Sequence, residues 1–102
     1  MQSGNLFSDA ASPQVGERFD TILTHKNLVI ERIISSAVIA PQEYIQTQDE
    51  WVLLIQGEAE LRVNGTLVSL HKGDYVFLPA AVPHIVERTV DGTVWLAIHL
   101  HN

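Results

Sequence analysis

The sequence predicts an all-β fold, a sandwich or barrel built from short strands. No stretch carries a helical period, and short apolar stretches follow one another between Gly, Pro and Asn residues. The dipeptides Asn64-Gly65 and Asp91-Gly92 are hairpin signals, because a type I′ turn needs positive φ at both central residues. Such a succession of strands and tight turns is typical of an all-β domain.

The first half of the chain divides into an arm and two strands. Residues 1–17 are rich in Ser, Gly, Asn, Gln and Pro, which predicts an N-terminal arm, flexible or docked on a partner subunit. We expect residues 18–102 to form a single domain, a sandwich or barrel. Leu28–Ile39 is apolar and β-branched, and Pro41 ends it. Trp51–Gln56 is the next strand, and Gly57 closes it.

The second half continues with five more strands. Glu58–Val63 alternates cleanly between charged and apolar residues, as a half-buried strand does. After the Asn64-Gly65 turn, the predicted strands are Thr66–Leu70, Tyr75–Leu78, His84–Val90 and Val94–His101. In the last strand Trp95, Ala97, His99 and His101 share one face.

Composition excludes several classes of function. The chain has 102 residues, 46% of them hydrophobic and 18% charged, which suits one folded domain. Its net charge of −6 disfavours nucleic acid as a partner. Without cysteine it forms no disulfide, and we expect a cytoplasmic protein. The start lacks the pattern of a secretory signal, and the longest clean apolar run, Trp51–Ile55, is far too short to span a membrane.

Two spaced motifs resemble those of the cupin family. Glu50 and Gly57 are separated by six residues, as in the second half of the first cupin motif. "GDYVFLPAAVPH", which ends at His84, resembles the second motif, although Ala81 replaces the Gly usually found after the Pro. The resemblance covers roughly residue 34 to the C-terminus. It implies an antiparallel jelly-roll barrel with a metal site of three His and one Glu at its mouth.

The resemblance carries over to this chain only in part. Glu50 matches the family's Glu and His84 its final His, whereas the paired His of the HxH motif fall on Tyr44 and Gln46. This pattern is similar to a group of small bacterial cupins, most of unassigned function, in which Tyr-x-Gln replaces HxH. The implied ligands of a divalent metal (Mn, Fe, Ni or Zn) are Gln46, Glu50 and His84, with His99 in reserve. Tyr44 is the candidate catalytic residue, and no nucleotide cofactor is expected.

Each candidate also has a plainer interpretation. Glu50 shares a face with Val52 and Leu54, so it points into the barrel if they do; otherwise it is the solvated start of a strand. His84 could be a structural histidine. Gln offers a neutral amide oxygen and Tyr binds metal well only as phenolate, so a metal-free polar pocket is equally compatible with these residues.

The sequence therefore leaves several functions open. A metal-dependent isomerase, lyase or dioxygenase acting on a small oxygen-bearing metabolite is one interpretation. The alternative is a metal-free module that binds or senses a small molecule, and a third possibility is an oligomer with a vestigial pocket. Trp51, Leu53 and Ile55 point away from Glu50 and need cover, which favours a homodimer.

Overall fold

Nine strands and no helix make up the protein, which we describe from a computed structural model covering residues 1–102. The strands are Glu17–His25 (β1), Leu28–Ser35 (β2), Glu43–Tyr44 (β3), Asp49–Gln56 (β4), Glu58–Val63 (β5), Thr66–His71 (β6), Tyr75–Leu78 (β7), His84–Thr89 (β8) and Thr93–Leu100 (β9). The prediction of an all-β fold is confirmed. No helix is present that could cross a membrane.

The strands form two antiparallel sheets that enclose one core. The larger sheet has the order β1-β2-β9-β4-β7, and the smaller has the order β3-β8-β5-β6. Every strand pair is antiparallel, as a jelly roll requires. The buried cluster between the sheets consists of Val52, Leu54, Ala59, Leu61, Leu70, Leu78, Trp95 and Ala97. Alternation therefore sends one face of β4, β5 and β9 into the core.

Most predicted strands lie within one or two residues of their expected bounds, but β2 ends four residues early. It was expected to continue to Ile39 and stops at Ser35. At that point the Ser36 hydroxyl accepts a hydrogen bond from the backbone N–H of Val38 at 3.2 Å. The N–H of Ala37 donates to the Asp91 carboxylate at 2.6 Å. Side chains thus satisfy the donors that a continued strand would have paired.

The N-terminal arm contacts the barrel of its own chain. Arg32, only 6% exposed, donates to the carbonyl oxygens of Leu6 at 2.8 Å and Ser8 at 2.7 Å. Its guanidinium also pairs with Asp20 at 2.7 Å. Glu17, expected at the end of the arm, is the first residue of β1. It starts the strand because its backbone aligns opposite Ser35 in β2.

Candidate functional site

All four predicted site residues line one cavity between the two sheets. The cavity has a volume of about 100 Å³. Its polar lining consists of Glu17, Glu31, Tyr44, Gln46, Glu50, His84 and His99. Val52, Leu61 and Trp95 are among the apolar residues that complete the wall. The structure therefore brings the predicted residues together, and it adds two carboxylates that the sequence did not single out.

Glu50 points into the barrel, as its shared face with Val52 and Leu54 predicts. It lies near the start of β4 and is 5% exposed, against 4% and 0% for the two apolar residues. Its Oε1 accepts a hydrogen bond from Gln46 Nε2 at 2.8 Å. A buried carboxylate is costly without such partners, so this bond helps to hold the acid in the interior.

His99 lies beside Glu50 and completes a polar cluster. The register of β4 and β9 places the two residues opposite each other, with 3.9 Å between Glu50 Oε2 and His99 Nε2. The same Nε2 lies 3.3 Å from Glu31 Oε1. On the other side of the ring, Gln48 Nε2 lies 3.2 Å from Nδ1. In the neutral ring the amide N–H of Gln48 donates to Nδ1, so the imidazole proton lies on Nε2 and faces the two carboxylates.

The carboxylates around His99 favour its charged form. The hydrogen bond with Glu31 is the main cause that raises the pKa of His99 above 6.5, and the negative charges of Glu50 and Glu31 act in the same direction. Partial burial opposes them by disfavouring the cation. The cavity thus places a proton donor, His99, next to a proton acceptor, Glu50.

Glu17 is a second acid of the cavity, and its environment disfavours ionisation. Burial is the main cause that raises the pKa of Glu17 above 4.5, and the charge of Glu31 adds to it. The Ser35 hydroxyl opposes them by donating to Glu17 Oε2 at 2.5 Å. Trp95 Nε1 donates in turn to Ser35 Oγ at 3.0 Å. This chain anchors Glu17 to the core of the larger sheet.

Tyr44 and His84 form the opposite wall, contributed by the smaller sheet. They are cross-strand neighbours in β3 and β8, and their rings stack with centroids 5.8 Å apart. His84 is 7% exposed and Tyr44 is 38% exposed, so the tyrosine lies toward the mouth. The stacking fixes the imidazole of His84 against a partly solvated ring.

The loop between β7 and β8 holds this wall in place. The backbone N–H of Ala81 donates to the carbonyl oxygen of Gln46 at 2.7 Å. The N–H of Ala80 donates to the Asp49 carboxylate at 2.8 Å. Ala81 adopts a φ of 67°, in the left-handed region where the family's motif has Gly. The replacement noted in the sequence therefore keeps the glycine-like backbone.

The metal ligand set remains a prediction, and the side-chain arrangement fits it poorly. No group of three or more His, Asp or Glu residues is placed to hold a metal ion. Gln46 presents its amide nitrogen, not its oxygen, to Glu50. An amide N–H cannot ligate a cation, so Gln46 would have to turn over to serve as a ligand.

Glu31 and Glu17 are the site residues that sequence reasoning missed. Glu31 interrupts the apolar run of β2 and points to the same side as Ile33, a signal that could have been followed. Its proximity to His99 depends on the pairing of β2 with β9, which the sequence does not reveal. Glu17 carries no comparable signal.

Comparisons with known proteins agree with this architecture. A protein from Ralstonia eutropha JMP134, named as a candidate mannose-6-phosphate isomerase, is 35% identical; all of both chains is covered and the TM-score is 0.87. An RmlC-like cupin from Shewanella frigidimarina NCIMB 400 is 16% identical, with 96% of this chain and 87% of that one covered and a TM-score of 0.80. The cupin domain of Schizosaccharomyces pombe Cnp3 is 14% identical, with 98% and 74% covered and a TM-score of 0.83.

No match is found among curated proteins. In contrast, the comparison with protein families gives a match: residues 30–99 match the family described as Cupin domain. This range contains both sequence motifs and seven of the nine strands (β3 to β9) whole or nearly so. The chain is therefore a member of the cupin family.

Proposed function

We propose that the cavity binds a small oxygen-bearing molecule through hydrogen bonds, without a resident metal. The observation that carries this proposal is the arrangement around Glu50, whose buried carboxylate is held by Gln46 and faces the Nε2 of His99. Polar groups that are already oriented need little reorganisation when a ligand arrives. A non-catalytic binding or sensing role requires nothing more than this.

The donor and acceptor pattern suits a hydroxyl group. A hydroxyl donates one hydrogen bond and accepts others, so it can bridge the Glu50 carboxylate and the N–H of His99. Trp95, Val52 and Leu61 offer apolar contact for a short carbon skeleton. The cavity volume of about 100 Å³ lies below the roughly 300–1,000 Å³ of pockets for drug-sized ligands, which favours a small molecule.

The charge of the cavity argues against a phosphorylated ligand. Three glutamates line it, and no Lys or Arg does. A phosphate group in a poorly hydrated pocket needs cationic or N–H donors, and carboxylates repel it. The Ralstonia eutropha protein is named for a sugar phosphate. For this chain we propose an unphosphorylated ligand.

A metal-dependent isomerase, lyase or dioxygenase is the second candidate. The named isomerase activity of the 35% identical relative favours it, as do the carboxylates of the cavity. Gln46, Glu50 and His84 would hold the divalent metal, which would polarise an oxygen of the substrate. Tyr44, stacked on His84 near the mouth, would orient the substrate or exchange a proton with it. A cytoplasmic location is part of both proposals.

The test combines metal analysis with thermal shift. Protein purified without a His tag is analysed for Mn, Fe, Ni and Zn, and is then screened, with and without chelator, against small polyols, sugars, hydroxy acids and their phosphate esters. Glu50→Gln is the matched variant, because it keeps the shape of the side chain and removes its charge. Glu58→Gln is the control, since Glu58 is exposed at the start of β5.

The expected result is a rise in melting temperature with an unphosphorylated, hydroxyl-bearing compound that persists in chelator. The shift should disappear in Glu50→Gln and remain in Glu58→Gln. Near-stoichiometric metal that is lost in Glu50→Gln and in His84→Ala would instead establish the second candidate. A pocket that binds neither metal nor any compound would contradict both.

A further inference from the structure

Two deeply buried side chains of the cavity each keep an acceptor atom without a partner. Glu50 is 5% exposed, and while its Oε1 accepts from Gln46, its Oε2 has no donor, since His99 Nε2 is 3.9 Å away. His84 is 7% exposed, and its Nδ1 lies 3.5 Å from the carbonyl oxygen of Val82, which leaves Nε2 as the acceptor of the neutral ring. No fully enclosed side-chain nitrogen or oxygen lacks a partner, so both free atoms open onto the cavity.

Glu17 and Glu31 supply further free acceptors to the same cavity. The Ser35 hydroxyl donates to Oε2 of Glu17, and His99 Nε2 approaches Oε1 of Glu31, but the second oxygen of each carboxylate has no donor. The deep N–H donors of the lining are already engaged, since His99 Nε2 faces Glu31 and Trp95 Nε1 donates to Ser35. A ligand that satisfies this lining must therefore bring several donors of its own.

The chain does not neutralise the three carboxylates of the cavity. Only His99 makes ion-pair contacts with them, at Glu31 and Glu50, and Glu17 has no cationic partner. The negative charge of Glu31, together with burial as the larger cause, raises the pKa of Glu17. Every arginine ion pair uses an acid outside the lining: Arg18 with Asp9 and Asp20, Arg32 with Asp20, Arg62 with Glu87, and Arg88 with Glu58 and Glu60.

The free acceptors are distributed around the cavity rather than gathered at one point. Glu17, Glu31 and Glu50 come from β1, β2 and β4 of the larger sheet, and His84 comes from β8 of the smaller one. A metal ion needs its ligands within about 2.0–2.6 Å of one centre, and no three His, Asp or Glu residues are so placed. A protonated primary amine instead directs three N–H donors in different directions, which suits acceptors on separate walls.

We propose that the ligand carries a protonated amine beside its hydroxyl group, so that hydroxylated primary amines, meaning amino alcohols and amino sugars, are the ligand class of this cavity. This inference rests on the proposed function and adds the charge of the ligand to it. The hydroxyl lies between Glu50 and His99, and the ammonium donates to the free oxygens of Glu17 and Glu31. The apolar part of the wall strengthens the attraction, because charges interact more strongly where water is scarce. Organic acids are repelled by the same carboxylates.

The test compares ligands that differ only in charge, by calorimetric titration of the full chain in the presence of a chelator. Serinol and glycerol form one pair, and glucosamine and glucose form another; in each pair an amino group replaces one hydroxyl. Glycerate adds the opposite charge to the glycerol skeleton. Glu17→Gln and Glu31→Gln each remove one carboxylate, and Glu58→Gln is the matched control at an exposed position outside the lining. Circular dichroism establishes that each variant is folded.

In any pair that binds, we expect the amine to have a Kd at least about 10-fold below that of its neutral partner, and glycerate to bind most weakly. The ratio of the two Kd values should fall at least about threefold in Glu17→Gln and in Glu31→Gln, and it should be unchanged in Glu58→Gln.

Three results contradict the inference. If a neutral compound binds and its amine binds no more tightly, the ligand class is wrong while the proposed function stands. If the ratio is the same in the parent and in both folded cavity variants, Glu17 and Glu31 do not receive the ammonium. If neither amines nor neutral compounds bind, the inference and the proposed function fail together.

Discussion

Glu50 and His99 face each other across β4 and β9, with 3.9 Å between the carboxylate Oε2 and the imidazole Nε2. The pairing is a consequence of strand register, and it places an acid and a base inside a cavity with largely apolar walls. Glu31 approaches the same Nε2 at 3.3 Å from β2. His99 therefore lies between two carboxylates from the strands on either side of β9.

The two carboxylates should make unequal contributions to the pKa of His99. The hydrogen bond with Glu31 is the largest cause of the raised value, and the charge of Glu50 is a smaller one. We therefore expect Glu31→Gln to lower the pKa of His99 more than Glu50→Gln does. An NMR titration of the His99 ring protons measures both shifts, and an equal or reversed order would contradict the geometry.

Protein stability should follow the same titration. A histidine whose folded-state pKa is raised stabilises the fold fully below its unfolded pKa of about 6.5, and the contribution is lost as pH rises through the raised folded-state pKa. In the parent chain this contribution to the free energy of unfolding should decrease as pH rises above about 6.5. In Glu31→Gln the decrease should be smaller and should be complete at a lower pH.

Glu17→Gln should stabilise the protein at neutral pH. Burial raises the pKa of Glu17, so the folded state disfavours its ionised form, and the penalty is complete above the folded-state pKa. Below the ordinary value of 4.5 both states bind the proton and the penalty disappears. The glutamine keeps an acceptor for the Ser35 hydroxyl.

Urea denaturation of the parent and Glu17→Gln from pH 7 to pH 4 measures this difference. The variant should have the higher free energy of unfolding at pH 7, and the two curves should converge at the acid end. Glu58→Gln, at an exposed position, should show no such convergence. If Glu17→Gln were less stable than the parent at pH 7, the contacts of the ionised carboxylate would stabilise the fold by more than its burial destabilises it, and the prediction would be wrong.

The parts of the fold that the sequence predicts are those set by local pattern. Glu58–Val63 alternates, and the structure has β5 at those bounds. Asn64 and Gly65 adopt φ values of 48° and 84°, as their turn type requires. Side chains alternate between the two faces of a strand, so the sequence predicts that Glu50 points into the barrel, and the side chain is indeed buried.

The parts that escape prediction depend on contacts between distant segments. From the sequence, Arg32 would be expected to be an exposed charged residue of a strand. In the structure its guanidinium holds the arm through the carbonyl oxygens of Leu6 and Ser8, more than twenty residues away. Glu31 becomes a cavity residue only because β2 pairs with β9. A single sequence contains neither relation in its local spacing, so the arm's position and two of the three acids in the site could not be deduced.

Ala81→Gly should stabilise the protein by about 0.5–1 kcal/mol. Ala81 has a φ of 67°, a conformation that is strained for a residue with a Cβ and free for glycine. Part of the gain is offset by the greater entropy of glycine in the unfolded chain. Ala80→Gly, in the same loop but without positive φ, carries only that entropy cost and should destabilise.

Thermal and urea denaturation of the two alanine variants compare them directly. The melting temperature should be highest for Ala81→Gly, intermediate for the parent and lowest for Ala80→Gly. Since Ala81 N–H holds the carbonyl of Gln46, retained ligand or metal binding in the variant would show that the loop keeps its place. A destabilised Ala81→Gly would mean that rigidity of the loop outweighs backbone strain.

Gly57→Ala should cost about 3 kcal/mol, far more than an ordinary glycine replacement. Gly57 joins β4 to β5 with a φ of 92°, which disfavours any side chain. A Cβ at this position would also lie 2.8 Å from the Cα of Thr93, and backbone cannot move aside cheaply. Gly65→Ala is the matched control, because its φ is 84° and nothing lies within 4 Å of the added methyl group.

In the control Gly65→Ala the free energy of unfolding should fall by only about 1 kcal/mol, the cost of holding a residue with a Cβ in the left-handed conformation. Chemical denaturation of both variants therefore separates the steric contribution at Gly57 from the conformational one that the two sites share. Equal losses would show that β9 can withdraw from Gly57 and that the contact with Thr93 is loose. The larger loss at Gly57 would explain in physical terms why this position of the motif is glycine: the β4–β5 connection passes directly against the start of β9, the strand that carries His99.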